Sequence, residues 1–584
     1  MVTRYLTVRA RLVGAGLILW IAACGEKPPA SSSPSASAGA SALPQSCDPQ
    51  NGGITLPPGF CATIFADSIG HARHLVVAPN GVVYANTWSG EYYGRDKPHE
   101  GGFLVAMQDT KGTGQADVVT RFGGGVAEGS HGGTGIGIYQ NHLYAEINDR
   151  IVRYPLGASG VDTTAMPEVI VSGLPITGDH PMHPFIIDAK GNLFTDLGSA
   201  TNACELTNRK PLSPGHKPCT EKLTRAGTWK YDASKLDQRF SPSERYATGI
   251  RNGEGFAIDA DGRLFVSQHG RDQLSENWSK LYRVTAGAEL PAEEVVELKQ
   301  GADYGWPECY FDPQQNKLVL APEYGGDGGR MVGLCAERSP PAAAFPAHWA
   351  PNALLVHNGK GFPKAYSQGM FIAFHGSWNR APAPQAGYNI TFQPMAEGKA
   401  AGAHVTFADG FAGAVKEPGR AAFRPSGLAE GPDGAMYISE DVHGRIWRVT
   451  YRGSTDASVA AAPAPAEPSA SAPVATAALQ VAPGATAAQL ALGDSIFHGQ
   501  VANAPCAGCH GSDGKGSPIG ADLTAGTWLW SDGSLAGLSK TISQGVPQPK
   551  AHSGAMPPMG GTALKPAELK AVSVYVWGLG HKAK

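Results

Sequence analysis

Phe256-Ala-Ile-Asp-Ala-Asp-Gly-Arg-Leu-Phe265 is an apolar stretch, a polar turn ending in glycine, and a second apolar stretch. Alternating apolar residues on both sides of such a turn predict a β-hairpin in which the glycine takes the positive φ that the turn requires. The phrase recurs at Leu75–Tyr84, Phe185–Phe194 and Leu428–Tyr437, and more loosely at Ile136–Tyr144 and Leu354–Phe374. Repetition at about 50–70 residues is the signature of a β-propeller, and six copies predict six blades. A two-sheet sandwich has hairpins too, but needs no repeated phrase.

The composition agrees with this reading. Of 584 residues only 17% are charged, while glycine and proline number 76 and 45, as suits a turn-rich β protein. A net charge of -3 points away from a nucleic-acid surface or a polybasic membrane patch.

Outward from the repeats, the ends of the chain have a different character. Residues 1–24 carry Arg4, Arg9 and Arg11 ahead of a short apolar run ending at Ala22-Ala23-Cys24-Gly25. That run is too brief for a membrane span and resembles a lipoprotein signal, with Cys24 as the lipidated residue of an exported, periplasmic protein. Gly25 in place of an acidic residue leans toward the outer membrane. Residues 25–46 and 453–486 are rich in proline, serine and alanine and read as linkers flanking the propeller at 47–452. The second, at roughly 30 residues, would hold its ends on the order of 30 Å apart.

The remaining segment, 487–584, contains Cys506-Ala507-Gly508-Cys509-His510. A Cys-x-x-Cys-His run attaches one haem c covalently: the thiols form thioethers and the imidazole ligates the iron. A zinc site or a thioredoxin-like pair needs no trailing histidine. The segment resembles small class I cytochromes c, which implies a small all-α domain and an axial methionine from a Met-Pro pair. Met556 is that residue and Met559 its competitor. Gly493 would let a first helix cross a terminal one that starts at Pro566 and presents Leu569, Val572, Val576 and Leu579 on one apolar face. With Cys24, Cys506 and Cys509 assigned, six of nine cysteines remain. An even remainder in an exported chain predicts disulfides; the sequence does not choose among the possible pairings, of which the sequential one is Cys47–Cys61, Cys204–Cys219 and Cys309–Cys335.

Five strings in order, Gly249-Ile-Arg-Asn252, His269-Gly-Arg-Asp-Gln-Leu274, Tyr304-Gly-Trp-Pro307, Phe374-His-Gly-Ser-Trp-Asn-Arg380 and Arg424-Pro425, resemble the glucose and sorbosone dehydrogenase family, the fourth pointing to its sorbosone branch. The resemblance implies an enzyme that holds pyrroloquinoline quinone (PQQ) and calcium. In Gly178-Asp179-His180, His180 would be the general base, since oxidising a sugar hydroxyl requires removal of its proton near neutral pH. His183 is its rival, and His131 a candidate for the channel mouth. Arg251, Asn252 and Arg424 would contact the quinone, Arg251 as a catalytic residue that stabilises charge gathering on the reduced cofactor, and Gly270 and Arg271 would lend carbonyls to calcium. Asp272 and Glu276 read as loop acids or ligands of a second ion. Ser426 stands where glucose-oxidising members carry a second arginine, and no quinone-binding lysine can be placed. The resemblance therefore implies a sugar or polyol aldehyde as substrate, with electrons passing through haem c to an external cytochrome or quinone pool. The alternatives are a non-catalytic propeller tethering an electron carrier, or a calcium-dependent lactonase, which would leave the haem without a purpose.

Overall fold

The computed structural model describes residues 47–581 apart from 89–99, 124–131, 162–163, 284, 381–382, 464–478, 503, 505, 512, 517–519, 548 and 552–555. The expected signal, lipid site and first linker, together with His131, lie outside the described residues. No helix among those described is long and apolar enough to cross a membrane.

Among the described residues the strands form six blades, each built on four strands. Every copy of the repeated phrase is the hairpin joining the first two strands of a blade. The first strands are His71–Val77, Gly132–Tyr139, Phe185–Ile187, Gly253–Ile258, Pro351–Leu355 and Pro425–Glu430. Each pairs antiparallel with the strand that follows, and the turn glycines Gly81, Gly191, Gly262 and Gly434 all have positive φ. The six first strands touch one another in a ring and line the central axis. Closure comes from Phe60–Ala66, which supplies the outermost strand of the last blade by pairing with Ile446–Tyr451. Cys47–Cys61 staples the chain ahead of that strand.

Five of the six inner hairpins shift register near the start of the first strand, for example between Ala72 and Leu75 and between Gly253 and Phe256. Bulges re-aim side chains, and Arg73, Glu254 and Asn352 lie within these stretches and reach the cavity at that end of the axis. The other two expected disulfides are also present. Cys204–Cys219 closes a loop after the second strand of the third blade, and Cys309–Cys335 ties the inserted hairpin Cys309–Asp312/Lys317–Leu320.

The C-terminal domain is helical. Ala487–Phe497 starts with a capping box between Thr486 and Gln489, and Pro566–Gly580 has proline in its first turn. They cross at Gly493, where a Cβ would lie 2.1 Å from the Ala571 carbonyl oxygen. Leu490, Phe497, Leu538, Val572, Tyr575, Val576 and Leu579 fill the core. The linker is shorter than its composition suggests. Leu479 and Ala482 are buried in the helical core, while Tyr366 Oη donates to the Ala460 carbonyl and Ala462 N to the Thr406 carbonyl, holding 460–462 on the propeller. Small alanines that look unstructured in sequence can still fill gaps on a surface that other residues supply.

Candidate functional site

His180 follows Asp179 in the segment leading to the inner strand of the third blade. Its Nδ1 lies 2.9 Å from the Ser199 carbonyl and 3.0 Å from Ser199 Oγ. A carbonyl only accepts, so Nδ1 carries the proton and Nε2 the lone pair. Burial, reinforced by the Arg251 guanidinium, pushes this imidazole down to about 3, so it is neutral at working pH. A buried neutral histidine on a cavity wall has the form of a general base.

Asp272, expected to be an ordinary loop acid, is instead the hub of the site. Arg251 Nη2 donates to its Oδ2 at 2.8 Å, Arg209 Nη2 to the same atom at 3.0 Å, and Asn379 Nδ2 to its Oδ1 at 2.8 Å. Burial opposes its charge, but Arg251 and Arg209 hold it well below the usual carboxylate range. Arg209 sits in the loop closed by Cys204–Cys219 and also donates to Asp179 Oδ2 at 2.9 Å, so one disulfide-tied side chain braces both acids.

Arg251 Nε donates to the Asn202 carbonyl and Nη1 to the Gly270 carbonyl, at 3.1 and 3.0 Å. Arg424 Nη2 donates to the Gly376 carbonyl at 2.7 Å, and its guanidinium lies over the Tyr388 ring. Sequence reasoning missed Arg73, which no family string covers. It is buried on the cavity wall, with Nη1 2.8 Å from Asp441 Oδ2 and Nη2 3.2 Å from Glu254 Oε2. It also missed the pair in which His375 Nε2 meets Asp441 Oδ1 at 2.8 Å. No local signal in the sequence marks either, since both depend on blades far apart in the chain. His183 is placed elsewhere: fully buried, off the cavity wall, with Nε2 at the Pro175 carbonyl and Nδ1 3.1 Å from Glu146. Ser426 is buried behind the wall, and Glu276 lies in the turn Leu274–Asn277.

His180, Asp179, Asp272 and His375 line a cavity of about 520 Å³. Among the described residues it holds Arg73, Arg209, Arg251 and Arg424 but no propeller lysine. His269 Nε2, Asn352 Oδ1 and Asn379 Oδ1 are buried there and find no hydrogen-bond partner among the described residues. Cationic walls with idle donors and acceptors fit a flat tricarboxylate quinone. Calcium is less well provided for. The Gly270 carbonyl already accepts from Arg251, Arg271 is off the cavity wall and pairs with Glu323, and no group of three histidine, cysteine or acidic residues suits a metal among the described residues. A calcium ion here would depend on oxygens brought by its companion ligand.

The far wall of the same cavity belongs to the helical domain and includes Cys506, Cys509, His510 and Met556. Neither cysteine is in a disulfide. His510 Nδ1 lies 2.8 Å from the Ala521 carbonyl, which leaves Nε2 as the lone-pair atom, as an iron ligand requires. Met559 is not on the cavity wall. This donor set fits a haem.

Comparison with known proteins agrees with this geometry. An uncharacterized protein of Borreliella burgdorferi is 28% identical over 221 residues, 37% of this chain and 51% of the relative. A pyrroloquinoline quinone-dependent pyranose dehydrogenase of Coprinopsis cinerea is 25% identical over 239 residues, 34% of this chain and 30% of the relative. The chain thus spans about half the length, or less, of these curated relatives. The calcium structure of the Trichoderma reesei Carbohydrate-Active Enzymes Family AA12 protein superposes with a TM-score of 0.54 at 18% identity, covering 68% of this chain and 97% of that one, a likeness of fold. The cytochrome c family model matches residues 499–580. The TrAA12-like model matches residues 54–452, well over half of the sequence, and the chain therefore belongs to the TrAA12-like family.

Proposed function

We propose that this chain is an exported quinohaemoprotein, lipid-anchored at Cys24, that oxidises an aldose, sorbosone or a related sugar or polyol aldehyde and passes the electrons to an external one-electron acceptor. One observation carries the reading: a single cavity joins His180, Arg251 and Arg424 on the propeller to Cys506, Cys509 and His510 on the cytochrome. The pyranose dehydrogenase named among the relatives supports the substrate class.

Bound in the cavity, PQQ would supply a two-electron carbonyl acceptor, with calcium polarising it, and haem c would supply a one-electron relay. Arg73, Arg251 and Arg424 would balance the quinone's carboxylates, and Asn252 would hydrogen-bond its edge. The Gly270 carbonyl would lend one oxygen to calcium. Cys506 and Cys509 would hold the haem by thioethers, and His510 and Met556 would be the side chains available to ligate its iron.

His180 Nε2 takes the hydroxyl proton of the sugar while the C–H bond at the same carbon breaks with its electron pair. The product is a lactone or acid, and two electrons and two protons leave the sugar. Ser199 holds the imidazole in the tautomer that can receive this proton.

The test is optical. Haem-loaded, oxidised protein is given PQQ and calcium, then aldoses, sorbosone and alcohols in turn, and the reduced-haem band is followed. The band is expected to rise only with quinone present, and to rise about 10²–10⁴-fold more slowly in His180→Ala. Quinone that fails to bind, or a band that stays flat with every substrate, overturns the proposal.

A further inference from the structure

The cytochrome meets the propeller through backbone. A Cβ built on Gly508, within the haem-attachment run, would lie 2.0 Å from the carbonyl oxygen of Trp378 and 3.2 Å from its carbonyl carbon, with the Trp378 ring at 3.8 Å. A Cβ on Gly561 would lie 2.6 Å from Gln273 Nε2. Arg420 Nε lies 4.0 Å from Asp513 Oδ2. Trp378, Gln273 and Arg420 come from separate loops: the first follows the second strand of the fifth blade, the next follows that of the fourth, and the last precedes the inner strand of the sixth. Their partners are Gly508 within the haem-attachment run, Asp513 just after it, and Gly561 in the turn Pro558–Gly561 that follows Met556. Trp378 and Gln273 also line the shared cavity.

We infer that Gly508 and Gly561 form a built seat by which the cytochrome locks onto the propeller mouth, and that the Trp378 loop is the bridge bringing the haem edge into register with the quinone cavity. The two positions between the cysteines of a haem-attachment run do not hold the haem and admit many side chains. Glycine at the second of them is therefore not demanded by attachment, but it is demanded by the Trp378 carbonyl. A side chain there has nowhere to go, because backbone faces it rather than a flexible tip. The linker keeps the domains together and the seat sets their distance. Electron tunnelling falls exponentially with separation, so the seat governs how fast electrons reach the haem. It also covers the mouth, so substrate and the docked cytochrome share one opening.

This rests on the proposed dehydrogenase reading for its kinetic part, but the seat itself can be tested without quinone. Full-length, haem-loaded Gly508→Val is compared with wild type by amide hydrogen exchange in the absence of PQQ. Exchange at residues 374–380 is expected to rise in the variant while the blade strands stay protected, because overpacking of this kind lowers the docked population about tenfold or more. Unchanged exchange at 374–380 overturns the seat. Turnover is then measured with quinone and substrate in two ways. A small dye that takes electrons directly from the propeller is expected to give the wild-type rate, whereas haem reduction slows about tenfold or more. Haem reduction at the wild-type rate in a variant with altered exchange overturns the bridge. Absence of dye-linked turnover in wild type counts against the dehydrogenase reading and leaves the exchange result standing. Should Gly508→Val fail to load haem, Arg420→Glu paired with Asp513→Arg serves instead: the single change loosens the seat and the double change restores it, and no loosening in the single change overturns it.

Discussion

Asp272 shows how one residue decides the electrostatics of the site. Two guanidiniums and one amide donate to its carboxylate, and the attraction outweighs the cost of burying it. Breaking a buried pair by removing one partner leaves the other charge uncompensated, at a cost of about 3–5 kcal/mol. Asp272→Asn keeps the shape and removes the charge, so the quinone-free protein should lose about that much stability, read as a lower urea midpoint of propeller tryptophan fluorescence. A loss under about 1 kcal/mol would mean that solvent screens these pairs as it does at a surface. The sequence placed Asp272 beside Gly270 and Arg271 but gave no hint of Arg209, 63 residues away and brought in by a disulfide-closed loop.

At the next scale, the helix crossing in the cytochrome depends on a single missing side chain. Gly493 lies 2.1 Å, measured from a built Cβ, from the Ala571 carbonyl oxygen, and 2.8 Å from Tyr575 Cβ. Gly493→Leu must drive Ala487–Phe497 away from Pro566–Gly580, and overpacking typically costs about 1–3 kcal/mol. The expected result is an earlier unfolding transition of the helical domain, followed at the haem band, with the β signal of the propeller unchanged. Coincident shifts of both signals would show instead that the domains unfold together. Elements of this kind were legible in the sequence because they are local: the hairpin phrase carries its own turn, and a glycine and an apolar stripe announce a helix crossing. The same holds for His180, Arg251 and the haem-attachment run, whose neighbours in the chain identify them. Arg73 and the His375–Asp441 pair were not legible, because their meaning comes from ring closure, which brings the first, fifth and sixth blades together. The linker was misjudged for the reverse reason, since Leu479 and Ala482 gain their role only from a core supplied by other segments.

A closed ring buries two opposing sets of neutral groups, and their balance sets how the whole molecule responds to pH. Burial pushes His74 and His375 down to about 4 and His180 to about 3, from an ordinary 6.5. Burial pushes Glu254 up to about 7, and Glu293 and Glu294 to about 8, from an ordinary 4.5. Between pH 6.5 and about 4 the unfolded chain binds protons on these histidines that the folded chain does not, so stability falls as acid is added. Between pH 4.5 and about 8 the folded chain keeps protons on these glutamates that the unfolded chain releases, so stability falls as base is added. Each proton of difference contributes about 1.4 kcal/mol per pH unit. The two slopes oppose each other between 4.5 and 6.5 and act alone outside that window. Thermal midpoints of the quinone-free protein, taken from pH 4 to 8 at constant salt, should therefore peak inside the window and decline on both sides. A midpoint that climbs steadily from pH 6.5 to 8 would mean that Glu254, Glu293 and Glu294 are charged in the fold, with the arginines beside Glu254 and Glu293 outweighing burial.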